Sequence, residues 1–121
     1  MIAADSSSLV SFLNEEDGGD VLQVLQAIQG GQLVLPPVVV TEILSGASAL
    51  DAILPNAALL TIHEGYWQRA GASRRALAAK GLKAKLGDAL IAQSCIDNGV
   101  PLITRDSDFR HFAKHCGLKL A

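Results

Sequence analysis

The stretch KLGDALIAQSCIDNGVPLITRDSDF, residues 85–109, reads as a helix, a turn and a strand, with one acid opening the helix and two more following the strand. From Asp88, the apolar or small residues Ile91, Ala92 and Cys95 recur at helical spacing, which marks the buried face of a helix with a carboxylate at its leading end. Asn98-Gly99 is a stop signal, and Pro101-Leu102-Ile103-Thr104 is a short apolar run suited to a buried parallel strand. The polar run Arg105-Asp106-Ser107-Asp108 ends it. In an α/β unit the helix runs back along the sheet and the next strand returns, so helix start and strand end share one edge. Asp88 is therefore expected to meet Asp106, with Asp108 close by.

The rest of the chain repeats this alternation. Met1 to Ala4 is a first strand, and Asp5-Ser6-Ser7-Ser8 is a capping run for a helix carried by Leu9, Val10, Phe12 and Leu13. After the acidic loop Glu15 to Gly19, the apolar periodicity of Val21, Leu22, Leu25 and Ile28 predicts a second helix closed by Gly30-Gly31. Leu33 to Leu35 is a second strand, and Pro36-Pro37 opens a helix with Glu42 about a turn and a half inside it. Ala47 to Leu54 reads as helical, and Ala57 to Thr61 as a third strand. His63 to Lys80 is the longest helical pattern, with Tyr66, Trp67, Ala70 and Leu77 as its packing side. Phe109 to Cys116 is a short helix, and Gly117 to Leu120 an edge strand. Short strands alternating with helices predict a single α/β domain over residues 1–121, three layers deep, with a mainly parallel central sheet of four or five strands.

At 121 residues such a domain buries roughly two thirds of its unfolded surface and needs no staples. Mean hydropathy is +0.32, yet no apolar run approaches the ~18 residues of a membrane span. The N-terminus lacks an export signal, and Cys95 and Cys116 fit neither a disulfide framework nor a four-ligand zinc spacing. A reduced, cytoplasmic protein is expected. The net charge of −2 conceals an asymmetry: residues 1–64 hold eight acids and no Lys or Arg, whereas residues 65–121 hold all ten bases and four acids. Arg69, Arg74, Arg75, Lys80, Lys83 and Lys85 lie between Glu64 and Asp88 without an intervening acid. A run of this kind is either a solvated face or the footprint of a polyanion.

Ligands of parallel sheets bind beyond the carboxyl ends of the strands. Asp5, Glu42, Asp88 and Asp106 all fall there, from four separate segments. Such carboxylates repel one another unless a cation or proton compensates, and oxygen donors without His or Cys suit Mg²⁺ or Mn²⁺.

The arrangement of these residues resembles the PIN-domain ribonucleases, and within them the VapC-type toxins of toxin–antitoxin pairs. The resemblance rests on a strand ending in Asp5-Ser6-Ser7, on Val40-Thr41-Glu42 in a helix, on Gly87-Asp88-Ala89-Leu90-Ile91-Ala92, and on Thr104-Arg105-Asp106-Ser107-Asp108-Phe109 after a strand. It implies a metal-dependent endoribonuclease that uses Mg²⁺ or Mn²⁺, no protein nucleophile and an activated water. It also implies an RNA substrate, a cognate antitoxin and a homodimer. Asp5 and Asp88 are the leading ligand candidates, followed by Asp106, with Glu42 as ligand or water-positioning group. Asp108 and Ser7 stand behind them as supports, and Lys83, Lys85 and Arg105 are candidate RNA contacts. The alternative is a non-catalytic module of the same fold that binds RNA or a partner protein.

Other constellations are weaker. His111 and His115 make at most half a zinc site, no phosphate loop or nucleophile elbow occurs, and Tyr66 and Trp67 suit a packed helix face better than base stacking. A receiver domain would need an acid where the third strand ends Leu60-Thr61-Ile62, and an Asp-x-Asp phosphohydrolase would need one at Ser7.

Overall fold

A computed structural model describes residues 1–46 and 50–121. Strand β1 (Ile2–Ala4) leads into α1 (Ser6–Leu13) and α2 (Gly19–Gln29); β2 (Leu33–Leu35) leads into α3 (Pro37–Leu44); β3 (Ala58–Leu59) is followed by α4 (Tyr66–Ala79), α5 (Leu86–Asn98), β4 (Leu102–Ile103) and α6 (Phe109–Cys116). The strands form one parallel sheet in the order β3-β2-β1-β4. The expected last strand is reduced to a single parallel bridge, Leu102 to Leu120, held by Leu102 N–H donating to Lys119 O at 2.9 Å and Ala121 N–H donating to Leu102 O at 2.9 Å.

Strand order dictates the layers. The chain steps from β1 to β2 to β3 in one direction and then crosses back to β4 on the other side of β1. Right-handed crossovers therefore put α1, α2 and α3 on one face and α4, α5 and α6 on the other. The packing agrees: α1 lies against α2 and α3, and α4 against α5 and α6. Between them sits a core that includes Ala3, Ala4, Leu9, Leu33, Leu35, Ile43, Leu77, Ile91, Leu102, Ile103, Phe109 and Phe112. The sheet is apolar on both faces because both are covered. The direction of travel reverses between β1 and β4, so the carboxyl edge there is the switch point at which such sheets bind ligands.

Several local expectations shift. Residues 47–49 of the helix expected over Ala47 to Leu54 lie outside the described residues, and the remainder forms two 3-10 turns, Leu50–Ala52 and Leu54–Asn56. Pro55 stands in the first turn of the second, where its missing N–H cannot continue an upstream helix. Helix α4 begins at Tyr66, after the left-handed Gly65, rather than at His63. Trp67 does not pack inward; it is 64% exposed and meets Tyr66 edge-on at 4.9 Å. Helix α5 begins at Leu86, so Asp88 lies in its first turn, and the stop at Gly99 has φ 64°, a backbone conformation glycine adopts without strain.

Candidate metal centre

Asp5 ends β1 and caps α1. Its N–H donates to Ile103 O of β4 at 3.1 Å, and its Oδ1 accepts the Ser8 N–H at 3.0 Å. The Ser7 hydroxyl lies 2.8 Å from both carboxylate oxygens, and Thr104 Oγ1 donates to Oδ2 at 2.5 Å. This carboxylate is almost fully buried. Burial pushes its pKa up, against the opposing pull of the bonds from Thr104, Ser8 and Ser7.

The Thr104 hydroxyl extends the network, because it also accepts the Asp106 N–H at 3.0 Å. Asp106 Oδ1 in turn accepts the Asp108 N–H at 2.9 Å. A continuous path of hydrogen bonds therefore links the end of β1 to the turn that leads from β4 into α6. Asp88 reaches the same turn from the first turn of α5. One carboxylate oxygen each from Asp88, Asp106 and Asp108 lies within 4.8 Å of the others, the one such grouping of acids, His or Cys among the described residues.

Glu42 approaches from α3. Its Oε1 accepts the Ser6 hydroxyl at 2.7 Å, and a Cβ placed on Gly87 would stand 3.0 Å from its Oε2. The glycine before Asp88 thus leaves room for Glu42 beside the N-terminus of α5. Asp88 feels this crowding: desolvation, then the neighbouring Asp106, push its pKa up to about 6, with Asp108 and Glu42 adding to the rise and Lys85 opposing it. Asp5, Asp88 and Asp108 all stand at or within the first turn of a helix. The positive ends of those helices offset part of the repulsion.

The predicted residues are therefore distributed unevenly. Asp88 and Asp106 come together as expected, and Asp108, expected behind them, stands in the same close group. Asp5 lies to one side, joined to the group through Thr104, and Glu42 flanks it at Gly87. Ser7 bonds Asp5 as foreseen. Lys83 and Lys85 are exposed, with Lys85 capping α5. Arg105 is committed to the protein itself: its Nε and Nη2 donate to Asp20 at 2.9 and 3.1 Å, and Nη1 lies 3.8 Å from Glu16. Asp20 also accepts the Ser8 hydroxyl at 2.8 Å, so it ties the start of α1 to the end of β4 behind Asp5. Thr104, Asp20 and Ser6 are contributors the sequence reading missed as site residues. Thr104 was visible as the first letter of its motif, whereas Asp20 and Ser6 acquire a role only through long-range contacts. Cys95 is buried, with its thiol pushed up to about 12, chiefly by desolvation.

Three carboxylates thus group at the switch point of a parallel, three-layer α/β/α sheet. The PIN domain family model matches residues 2–115, and the chain belongs to that family. Its fold is similar to a chain in the crystal structure of VapBC2 from Rickettsia felis bound to a DNA fragment from their promoter, with a TM-score of 0.78 at 20% identity, over 100% of this chain and 98% of that one. No curated protein matches the chain.

The donor set fits a divalent ion. Asp88, Asp106 and Asp108 offer hard oxygen ligands in one place, with no His or Cys among them, which suits Mg²⁺ or Mn²⁺ better than zinc.

Proposed function

We propose that the protein is a metal-dependent endoribonuclease, the toxin component of a toxin–antitoxin pair, acting in the cytoplasm with Mg²⁺ or Mn²⁺. The observation that carries this reading is the convergence of Asp88, Asp106 and Asp108, with Asp5 and Glu42 beside them, at the switch point of a PIN-domain sheet. Asp88, Asp106 and Asp108 would hold the ion. Bound there, a divalent cation lowers the pKa of water and neutralises charge on a phosphodiester's oxygens. The chain's own part is to keep the acids aimed. Thr104 fixes Asp5 and the backbone of Asp106, and Ser6 holds Glu42 at the rim, where its carboxylate can orient a water. At neutral pH the Asp88 carboxyl, with its pKa near 6, is mostly ionised and ready to bind a cation.

Leu22 and Leu25 on α2 and Leu44 on α3 are exposed apolar side chains, suited to a partner helix or a second copy. An antitoxin and a homodimer would use these helices. Among the described residues no helix is long and apolar enough to cross a membrane.

The test is to incubate purified, partner-free protein with structured RNAs in Mn²⁺, Mg²⁺ or chelator and to map the cuts. Cuts are expected with metal, absent in chelator and largely lost in Asp5→Asn. RNA bound but uncut under every metal condition would leave the non-catalytic module instead.

A further inference from the structure

The structure separates the bases that are spent on the fold from those that are not. Among the described residues, only Arg69 and Arg105 form ion pairs, with Asp97 and with Asp20 and Glu16. The acid-free run from Arg74 to Lys85 forms none. Part of that run surrounds a concave site. Gly71, Arg74, Arg75 and Ala78 lie on one face of α4, at helical spacing, and with Ala84 they line a cleft of about 360 Å³. That is the lower end of the size range of small-molecule sites. Its lining combines the small residues Gly71, Ala78 and Ala84 with the side chains of Arg74 and Arg75. Arg74 is held in place by its Nε, which donates to Ala84 O at 2.9 Å, while its terminal nitrogens make no hydrogen bond among the described residues. Arg75 is exposed and makes no ion pair there.

The cleft is also well placed. Helices α4 and α5 form an antiparallel pair, as the Arg69–Asp97 and Ser73–Gln93 contacts show, so the second half of α4 lies beside the start of α5. Ala84 on the cleft wall is followed by Lys85, the cap of α5, and Asp88 is in that helix's first turn.

We propose that this cleft is a nucleotide subsite of the substrate strand, in which Arg74 and Arg75 bind the phosphodiester of a residue several nucleotides from the one at the acids, with Lys83 and Lys85 along the path between. This deepens, and rests on, the ribonuclease reading. Guanidinium groups, that of Arg74 held through Nε and that of Arg75 free to reach, bind phosphate without reading sequence, so the subsite contributes affinity for any sufficiently long single strand.

The experiment measures binding of a long single-stranded RNA and of a dinucleotide with Mn²⁺ in the Asp5→Asn background, across a salt titration, so that the ion is present and cleavage does not enter. Arg75→Ala is the variant, since an exposed side chain can be truncated without loss of fold, and Lys119→Ala, near the opposite end of α5, controls for net charge. For the long RNA, Arg75→Ala should weaken binding and reduce the slope of log affinity against log salt by about 1, while dinucleotide binding stays unchanged and Lys119→Ala behaves as the Asp5→Asn parent. An unchanged slope for the long RNA, or an equal loss on the dinucleotide, overturns the subsite and leaves the ribonuclease reading standing. An Asp5→Asn parent that binds no RNA of either length in Mn²⁺ overturns both.

Discussion

Asp5 Oδ2 and Thr104 Oγ1 stand 2.5 Å apart although 99 positions separate them in the chain. This contact adds a side-chain tie to the backbone bond from Asp5 N–H to Ile103 O that joins the ends of β1 and β4, and the same hydroxyl receives the Asp106 N–H.

Thr104→Val keeps the shape of the side chain and removes that hydroxyl. It removes one of the two hydroxyls that reach Asp5 Oδ2, leaving Ser7, and takes the partner from the Asp106 N–H, at a cost of about 1–3 kcal/mol. Urea titration should show the loss as a lower midpoint with an unchanged slope. If Thr104 positions the acids as well, Mn²⁺ affinity measured by calorimetry should fall too; a fall in stability alone would confine Thr104 to the fold.

Asp88→Asn removes one of the crowded charges while keeping its size. In chelator the variant should melt a few degrees above wild type, because like charges at short range destabilise the metal-free fold. Across a Mn²⁺ titration the order should reverse. Native-state binding stabilises wild type by about 2.7 kcal/mol at a hundredfold excess over Kd, and the variant should forgo most of that. Parallel metal-dependent shifts in the two proteins would remove Asp88 from the ligand set.

The pKa of Asp88 also sets a pH dependence. The carboxyl is raised from its ordinary 3.8 to about 6 in the folded protein, so the folded state holds its proton more tightly than the unfolded one. Stability from this group is present below the ordinary value and is lost as pH rises from there through about 6. A full shift of this size would correspond to about 3 kcal/mol, and partial exposure reduces it to roughly 1–2. Melts in chelator between pH 4 and pH 7 should show wild type losing stability with a steeper slope than Asp88→Asn. Equal slopes would contradict the assignment.

Gly87→Ala separates helix stability from site geometry. Alanine is the better helix former by about 1 kcal/mol, and Gly87 lies in the first turn of α5. Its new Cβ, however, would press on Glu42 Oε2 from 3.0 Å, and the carboxylate must move by a few tenths of an ångström. The variant should therefore remain as stable as wild type or slightly more so, while RNA cleavage drops. Undiminished cleavage would show that the position of Glu42 does not matter.

Much of this was legible in the order of residues. Alternating apolar runs and helical periodicities determined the parallel α/β class, since a strand buried on both faces must be apolar throughout; β2 (Leu33–Leu35) and α6 (Phe109–Cys116) fall where the sequence placed them. The meeting of Asp88 with Asp106 followed from connection geometry alone, because a helix that runs back along a sheet starts where the next strand ends. Tertiary structure decided what local pattern does not encode. Which carboxylates share the close group depends on side-chain direction at the turn before α6, and this put Asp108 inside it and Asp5 beside it. Trp67 fits the apolar stripe of α4 in sequence, yet the rotation of that helix against α5 leaves it in solvent. Arg105 carries no sign in sequence that its charge is already spent on Asp20, 85 positions away, because long-range pairing is fixed only when α2 is packed beside the end of β4.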